Sequence, residues 1–177
     1  MILTEFQDRS LRPLTRHVTV QEDLEHMQDG ILTELGELLD VFKKHINYKK
    51  DFDFINAKEE CGDILFYTVN ICNILGYQLK DNLIVQREQT INAKEARKIV
   101  LRGFAQAGMM FDYSMPNQGQ VEAMILTIVN IADYLGLSMS SIFERNVEKL
   151  ALRYKDKFTP EEAENRDLEA ELAVLSK

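Results

Sequence analysis

Apolar side chains recur at steps of three and four residues between positions 24 and 42, and this spacing limits the possible folds more than any other feature of the sequence. They are Leu24, Met27, Ile31, Leu35, Leu38 and Phe42. Such steps place all of these side chains on one face of an α-helix. No segment alternates between apolar and polar residues, and only 8 Gly and 3 Pro occur in 177 residues, which disfavours a turn-rich β protein. The sequence therefore predicts an all-α protein, a helical bundle.

Start and stop signals divide the chain into five main helices. Thr19 and Glu22 have the spacing of a capping box, and a glycine is a usual C-terminal residue of a helix, as at Gly76 and Gly136. The signals predict helices over about 20–46, over about 54–76, from Asn92 to the break SMPNQG, over about 118–136, and from Ser138 onwards. Residues 80–91 are expected to be irregular or weakly helical. Thr159-Pro-Glu-Glu162 is a further start signal and predicts a charged C-terminal helix.

The second pair of predicted helices resembles the first. VNICNILGYQL at 69–79 and VNIADYLGLSM at 129–139 share Val, Asn, Ile, Leu and Gly. A duplication would give one domain over 1–177, with a four-helix core built from the pairs 20–80 and 92–137 and closed by 138–177. In this register Glu34, Glu37, Glu60 and Asp63 correspond to Gln106, Met109, Gln120 and Ala123, so the second pair is degenerate and has lost its acids. Chance similarity between helices of like composition is the alternative.

The net charge of −8 and the absence of any block of Lys and Arg disfavour a protein that binds duplex nucleic acid. The sequence has no apolar run that suits a signal peptide or a membrane span. Cys61 and Cys72 lie eleven residues apart on one predicted helix, roughly 16 Å, too far for a mutual disulfide. We expect core thiols in a cytoplasmic protein that does not act at a membrane.

Two pairs of carboxylates stand on consecutive predicted helices, each pair three residues apart: Glu34 with Glu37, and Glu60 with Asp63. The helix that carries the second pair is apolar on nearly every side, and a buried carboxylate is costly unless it is compensated. Antiparallel packing would bring the four acids together, where a divalent cation relieves their repulsion. Mg²⁺ prefers such oxygen ligands, and Mn²⁺ can substitute. The alternative is that the acids pair with lysines of another helix or face solvent.

These residues resemble the motifs of the MazG-type all-α nucleoside triphosphate pyrophosphohydrolases, in the MazG-like and dimeric dUTPase-like superfamily. The family's first motif is E-E-x-x-E, followed by E-x-x-D after a loop; here they are Thr33-Glu34-x-x-Glu37 and Glu60-Cys-Gly-Asp63. Asn146-Val-Glu-Lys149-Leu-Ala-Leu-Arg153-Tyr154 is similar to the closing element of the family. The resemblance covers roughly residues 5–80 and 140–170. Thr33 replaces the first glutamate, Lys155 replaces a proline, and a helix pair is interposed.

The resemblance implies Mg²⁺-dependent cleavage of a nucleoside triphosphate into a monophosphate and pyrophosphate. The four acids would hold Mg²⁺, and Glu34 or Glu37 would accept the proton of the attacking water. Side chains with an implied part in substrate binding are Asn146, Lys149, Arg153, Tyr67, Asn70 and Lys44. Family members commonly pair, so we expect a homo-oligomer, a dimer or a tetramer.

Two other functions fit the same sequence. One is a hydrolase of this superfamily that prefers dUTP or dUDP. The other is a non-catalytic helical scaffold or regulatory subunit, in which the acids form only surface salt bridges. Retention of all four acids in the first helix pair, beside their loss in the second, favours an enzyme.

Overall fold

The chain forms a bundle of α-helices, as a computed structural model shows. The model describes residues 1–87, 91–111, 115–154, 157, 159, 161, 165 and 167–176. Its helices are α1 (Leu3–Ser10), α2 (Val20–Tyr48), α3 (Phe54–Leu75), α4 (Ala93–Met110), α5 (Gln118–Leu135), α6 (Met139–Arg153) and α7 (Leu168–Leu175). A short 3-10 helix, Asp81–Leu83, lies within the segment expected to be irregular. No strand occurs among the described residues, and the all-α prediction is confirmed.

The predicted start and stop signals act as helix caps. Thr19 and Glu22 form the capping box of α2, and the Ser138 side chain accepts a hydrogen bond from the backbone of Ser141 at the start of α6. Gly76 and Gly136 follow α3 and α5 in the left-handed conformation, with φ of 75° and 66°. Glycine adopts this conformation without steric cost. Helices α2, α3 and α5 therefore begin and end within two residues of the predicted positions, and α4 and α6 begin within one residue of theirs.

One terminal helix was not predicted, and one predicted start lies partly outside the described residues. Helix α1 was not predicted, because its eight residues, LTEFQDRS, are largely polar and too few to show a repeating apolar face. The start signal at 159–162 includes residues outside the described part of the chain. The described C-terminal helix α7 begins later, with Asp167 as its cap: the Asp167 side chain accepts a hydrogen bond from the backbone of Ala170.

Four helices form the core, in two antiparallel pairs. Helix α2 packs on α3 and α4 packs on α5; between the pairs, α2 packs on α4 and α3 packs on α5. Each helix of the first pair thus contacts its counterpart in the second. Helix α6 packs on α3, and α7 packs on α6. Helix α3 also contacts α1, so it lies at the centre, and every residue from Ile55 to Leu75 is buried or half-buried.

Both cysteines are free thiols inside this core, as predicted. Burial raises the pKa of the Cys61 thiol and raises that of Cys72 to about 12. In the described part of the chain, no single helix is long and apolar enough to cross a membrane. Helices α5 and α6 taken together are long and apolar enough, but the chain bends by 110° between them.

Candidate functional site

Three carboxylates from two helices meet at one point. Glu34 and Glu37 stand one turn apart on α2, and Glu60 faces them from the first half of α3; each offers an oxygen within 4.8 Å of the other two. Glu37 is exposed, Glu34 is half-buried, and Glu60 is only 4% exposed. We call these three residues the acid cluster. It extends from solvent at Glu37 into the protein at Glu60.

The acid cluster is short of positive charge. Burial raises the pKa of Glu34 and of Glu60, and the nearby charge of Asp63 raises both further. The two side chains share a hydrogen bond, so one of them keeps a proton that the other accepts. Within the described residues, none of the three forms an ion pair with Lys or Arg. A bound cation would supply the missing charge.

The fourth predicted acid, Asp63, lies beside the cluster and is held by α6. Lys149 Nζ donates to Asp63 Oδ2 at 2.5 Å and to Glu59 Oε1 at 3.1 Å. Lys149 is fully buried, and burial would lower its pKa, but the charges of Asp63 and Glu59 outweigh this effect and raise it. Lys149 therefore stays protonated. The structure thus divides the four predicted acids into a three-carboxylate cluster and an ion-paired Asp63.

Asn146 brings a further polar atom to this place. Its Nδ2 donates to Asp63 Oδ1 at 2.6 Å, while its Oδ1 is buried and has no hydrogen-bond partner among the described residues. Helices α3 and α6 approach closely here, because a Cβ at Gly62 would lie 3.0 Å from Cβ of Asn146. A buried acceptor without a donor is costly unless a ligand satisfies it. The side of α6 that carries Asn146 and Lys149 therefore faces the acids.

A cavity of about 300 Å³ opens beside the acids. Glu34 and Asp63 contribute to its wall, and Arg153 provides a positive charge. The remaining lining is aromatic, imidazole and apolar: Phe66, Tyr67, Tyr154, His17, His26, Pro13, Leu14, Thr15, Met27 and Leu150. The site thus places negative charge, one guanidinium and several flat rings around one space.

Arg153 is anchored by the C-terminal helix. Its Nε and Nη2 donate to the two carboxylate oxygens of Glu171 at 3.1 and 2.7 Å, and Glu171 is nearly fully buried. Burial would lower the pKa of Arg153, but its hydrogen bonds to Glu171 raise it. Helix α7 therefore fixes the guanidinium at the edge of the cavity.

Two residues with an implied part in substrate binding lie elsewhere. Lys44 pairs with Asp40 at 2.8 Å on the surface of α2 and does not line the cavity. Asn70 is fully buried, and its Oδ1 accepts a hydrogen bond from Asn73 of the same helix at 2.8 Å. Asn70 does not line the cavity, and its part in substrate binding stays a prediction.

Sequence analysis missed the segment before α2. We call residues 13–17 the strap. All of them except Arg16 line one side of the cavity, together with His26 from the start of α2. Nothing in the spacing of His17 and His26 matches a metal or catalytic motif. The one signal available was the capping box at Thr19, which fixes where the strap meets α2.

Gly30 makes room for the ring of Tyr67 at the site. A Cβ at Gly30 would lie 2.5 Å from three ring atoms of Tyr67, whereas a Cβ at Gly36, on the same helix, would meet nothing within 4 Å. Gly30→Ala should therefore destabilise the fold by about 1–3 kcal/mol through overpacking. Gly36→Ala should instead stabilise it by up to about 1 kcal/mol, since alanine favours the helix. Urea unfolding of both variants measures the contrast; equal effects would mean that Tyr67 does not lie against Gly30.

No family model, curated protein or solved structure matches the chain. The resemblance to the MazG-type pyrophosphohydrolases therefore rests on the motif residues quoted above. Seven of those residues lie in or beside the acid cluster and the cavity: Glu34, Glu37, Glu60, Asp63, Asn146, Lys149 and Arg153.

Proposed function

We propose that the protein is a Mg²⁺-dependent nucleotide pyrophosphohydrolase, which converts a nucleoside triphosphate into a monophosphate and pyrophosphate. One observation supports this most: the acid cluster adjoins a cavity that carries both a guanidinium and a row of flat rings. A substrate that is anionic at one end and aromatic at the other suits that combination. A purely structural role for the acids is disfavoured, because it requires the salt bridges that the described residues do not form with Glu34, Glu37 or Glu60.

The acids fit a hard divalent cation. All three members of the cluster offer carboxylate oxygens, and Mg²⁺ selects oxygen over sulfur or imidazole ligands. The Oδ1 of Asn146, next to Asp63, is a further oxygen that no described residue satisfies. Glu34, Glu37 and Glu60 would hold Mg²⁺. When bound, it would neutralise phosphate charge and act as a Lewis acid on the reacting phosphate.

The protein's own side chains would perform the remaining steps. A water molecule attacks the α-phosphorus, the bond from that phosphorus to the bridging oxygen breaks, and pyrophosphate leaves with the oxygen. Glu37 is exposed at the solvent end of the cluster and would accept the proton of that water. Arg153, already oriented by Glu171, would neutralise charge on the phosphates. Lys149 keeps Asp63 in place through their ion pair.

The product assay tests this function. The protein is incubated with each common ribo- and deoxyribonucleoside triphosphate, with dUTP and with dUDP. Each incubation is carried out with Mg²⁺, with Mn²⁺ and with a chelator. We expect a monophosphate and pyrophosphate in equal amounts from at least one triphosphate, with either metal and not with the chelator. Turnover of dUDP and dUTP alone would instead identify the dUTP-preferring alternative. Release of orthophosphate from the triphosphates, or no turnover of any nucleotide, would refute the proposal.

A further inference from the structure

The strap is fixed by a buried carboxylate that belongs to none of the acid motifs. Asp23, in the first turn of α2, is 2% exposed. Its Oδ2 accepts from Arg16 Nε at 2.5 Å; its Oδ1 accepts from the backbone N–H of His17 at 2.7 Å and lies 3.1 Å from His17 Nδ1. Burial would raise the pKa of Asp23, but these hydrogen bonds outweigh it and lower the pKa. Asp23 is therefore a charged anchor for two consecutive residues of the strap.

This anchor places the imidazole of His17 in a row of rings. The centroids of His17 and His26 are 5.4 Å apart, those of His26 and Tyr67 are 6.0 Å apart, and those of Tyr67 and Phe66 are 5.4 Å apart. All four residues line the cavity. The two histidines are exposed at its mouth, whereas Tyr67 and Phe66 are half-buried. The row therefore runs from the strap inward, towards the wall formed by Glu34 and Asp63.

Flat rings on the wall of a cavity suit a planar heterocycle. Bases stack on aromatic side chains with little dependence on their identity, because every base has a π face. The acids at the inner end repel phosphates unless a cation is present, so the uncharged end of a nucleotide is the part that suits the rings. A base stacked on the row would direct its phosphates towards the acid cluster.

We propose that the row of rings is the nucleobase-binding wall of this site, and that Asp23 is a positioning residue that holds its outer member, His17. The inference rests on the proposed function, since it supplies the binding surface for the base of the same nucleotide. It assigns a role in base binding to the strap and to His26, which lie outside the motifs that carry the metal.

The three histidines of the chain allow a direct test. His45 lies at the other end of α2, where its Nδ1 contacts the backbone oxygen of Lys50 and its ring packs on Phe52, so it is an internal control. Imidazole ¹H–¹⁵N NMR spectra are recorded in chelator while adenosine, guanosine, cytidine, uridine or thymidine is added up to its solubility limit. We expect at least one nucleoside to shift the signals of His17 and His26 and to leave His45 unchanged. Inorganic tripolyphosphate with Mg²⁺ should leave the NMR signals of His17 and His26 largely unshifted. If no nucleoside shifts them, or if His45 shifts equally, the inference is wrong.

Variants separate base binding from folding. His17→Ala should weaken nucleoside binding about 5- to 100-fold, the range expected for loss of one stacking partner. Asp23→Asn keeps the shape but not the charge, and should raise KM for the triphosphate severalfold with kcat within about twofold, because His17 is displaced and the acid cluster is not. His45→Ala is the matched control and should change neither value. A fall in kcat with unchanged KM in Asp23→Asn would overturn the positioning role.

The two proposals fail separately. Nucleoside-dependent shifts of His17 and His26 without hydrolysis of any triphosphate would refute the pyrophosphohydrolase and keep the base-binding wall. Hydrolysis of a triphosphate without those shifts would keep the pyrophosphohydrolase and refute the base-binding wall.

Discussion

Replacing Glu60 with glutamine is expected to lower kcat by about 10³-fold while the helical bundle stays folded. Glu60 is the buried member of the acid cluster, and the metal it would hold supplies several kcal/mol of transition-state stabilisation, at about 1.4 kcal/mol for each factor of ten. Glutamine has nearly the same volume, and its amide can donate to Glu34, so the hydrogen bond between the two side chains survives. Steady-state kinetics and the far-UV circular dichroism spectrum measure the two effects.

Without metal, the same variant should be more stable than the wild type, and the difference should depend on pH. The pKa of Glu60 is raised above its ordinary value of 4.5, so the folded state binds a proton that the unfolded state releases. Stability of the wild type in chelator should therefore fall as the pH rises above about 4.5, whereas Glu60→Gln lacks this contribution. Thermal melts in chelator across the acidic and neutral range measure the difference.

With Mg²⁺ added, the wild type should be more stable than Glu60→Gln. A cation that binds only the folded wild type adds about 1.4 kcal/mol at ten times its dissociation constant, or roughly 3–6 °C in melting temperature. Glu60→Gln should lose that response. Glu25→Gln, on an exposed face of α2, is the matched control and should keep both activity and response. Full activity in Glu60→Gln, or an unchanged Mg²⁺ response, would exclude the acid cluster as the metal site.

Lys149→Met is expected to destabilise the fold by about 3–5 kcal/mol, the usual cost of removing one partner from a buried ion pair. Lys149 is fully buried, and its loss leaves Asp63 and Glu59 without their cation beside two further carboxylates, Glu34 and Glu60. For a chain of this size, that is a fall in melting temperature of roughly 6–20 °C. Urea unfolding measures it directly.

The partner variant Asp63→Asn should also destabilise the fold, because it leaves the buried ammonium of Lys149 with Glu59 alone. The motif by itself predicts only a loss of turnover for this change, with the helices intact. The double variant should lose less than the sum of the two singles, by about 0.5–3 kcal/mol, since both charges are then absent. Lys98→Met breaks the exposed pair with Glu95 and should change stability little. An effect of Lys149→Met no larger than that of Lys98→Met would contradict the buried ion pair.

The sequence by itself determined the main helices and the two of them that carry the acids. Apolar spacing and caps such as Thr19, Gly76 and Ser138 act within one or two turns of the chain, so the limits of the main helices could be predicted without knowledge of the fold. The three-residue spacing of Glu34 and Glu37 puts them on one face of one helix for the same reason. That α2 packs on α3 was predictable too, because a short break joins two helices with apolar faces.

Only the tertiary structure decided how the site is completed. Lys149 reaches Asp63 across 86 residues of sequence, and Asn146 reaches it across 83. These contacts depend on where α6 crosses α3, and that crossing depends on side-chain packing and on the space at Gly62, which no periodicity encodes. The hydrogen bond from His17 to Asp23 spans only six residues. The sequence did not predict it either, because His17 lies in a segment without regular structure. Local spacing fixes the direction of a side chain within its own helix, whereas the groups it meets are fixed by how the helices pack.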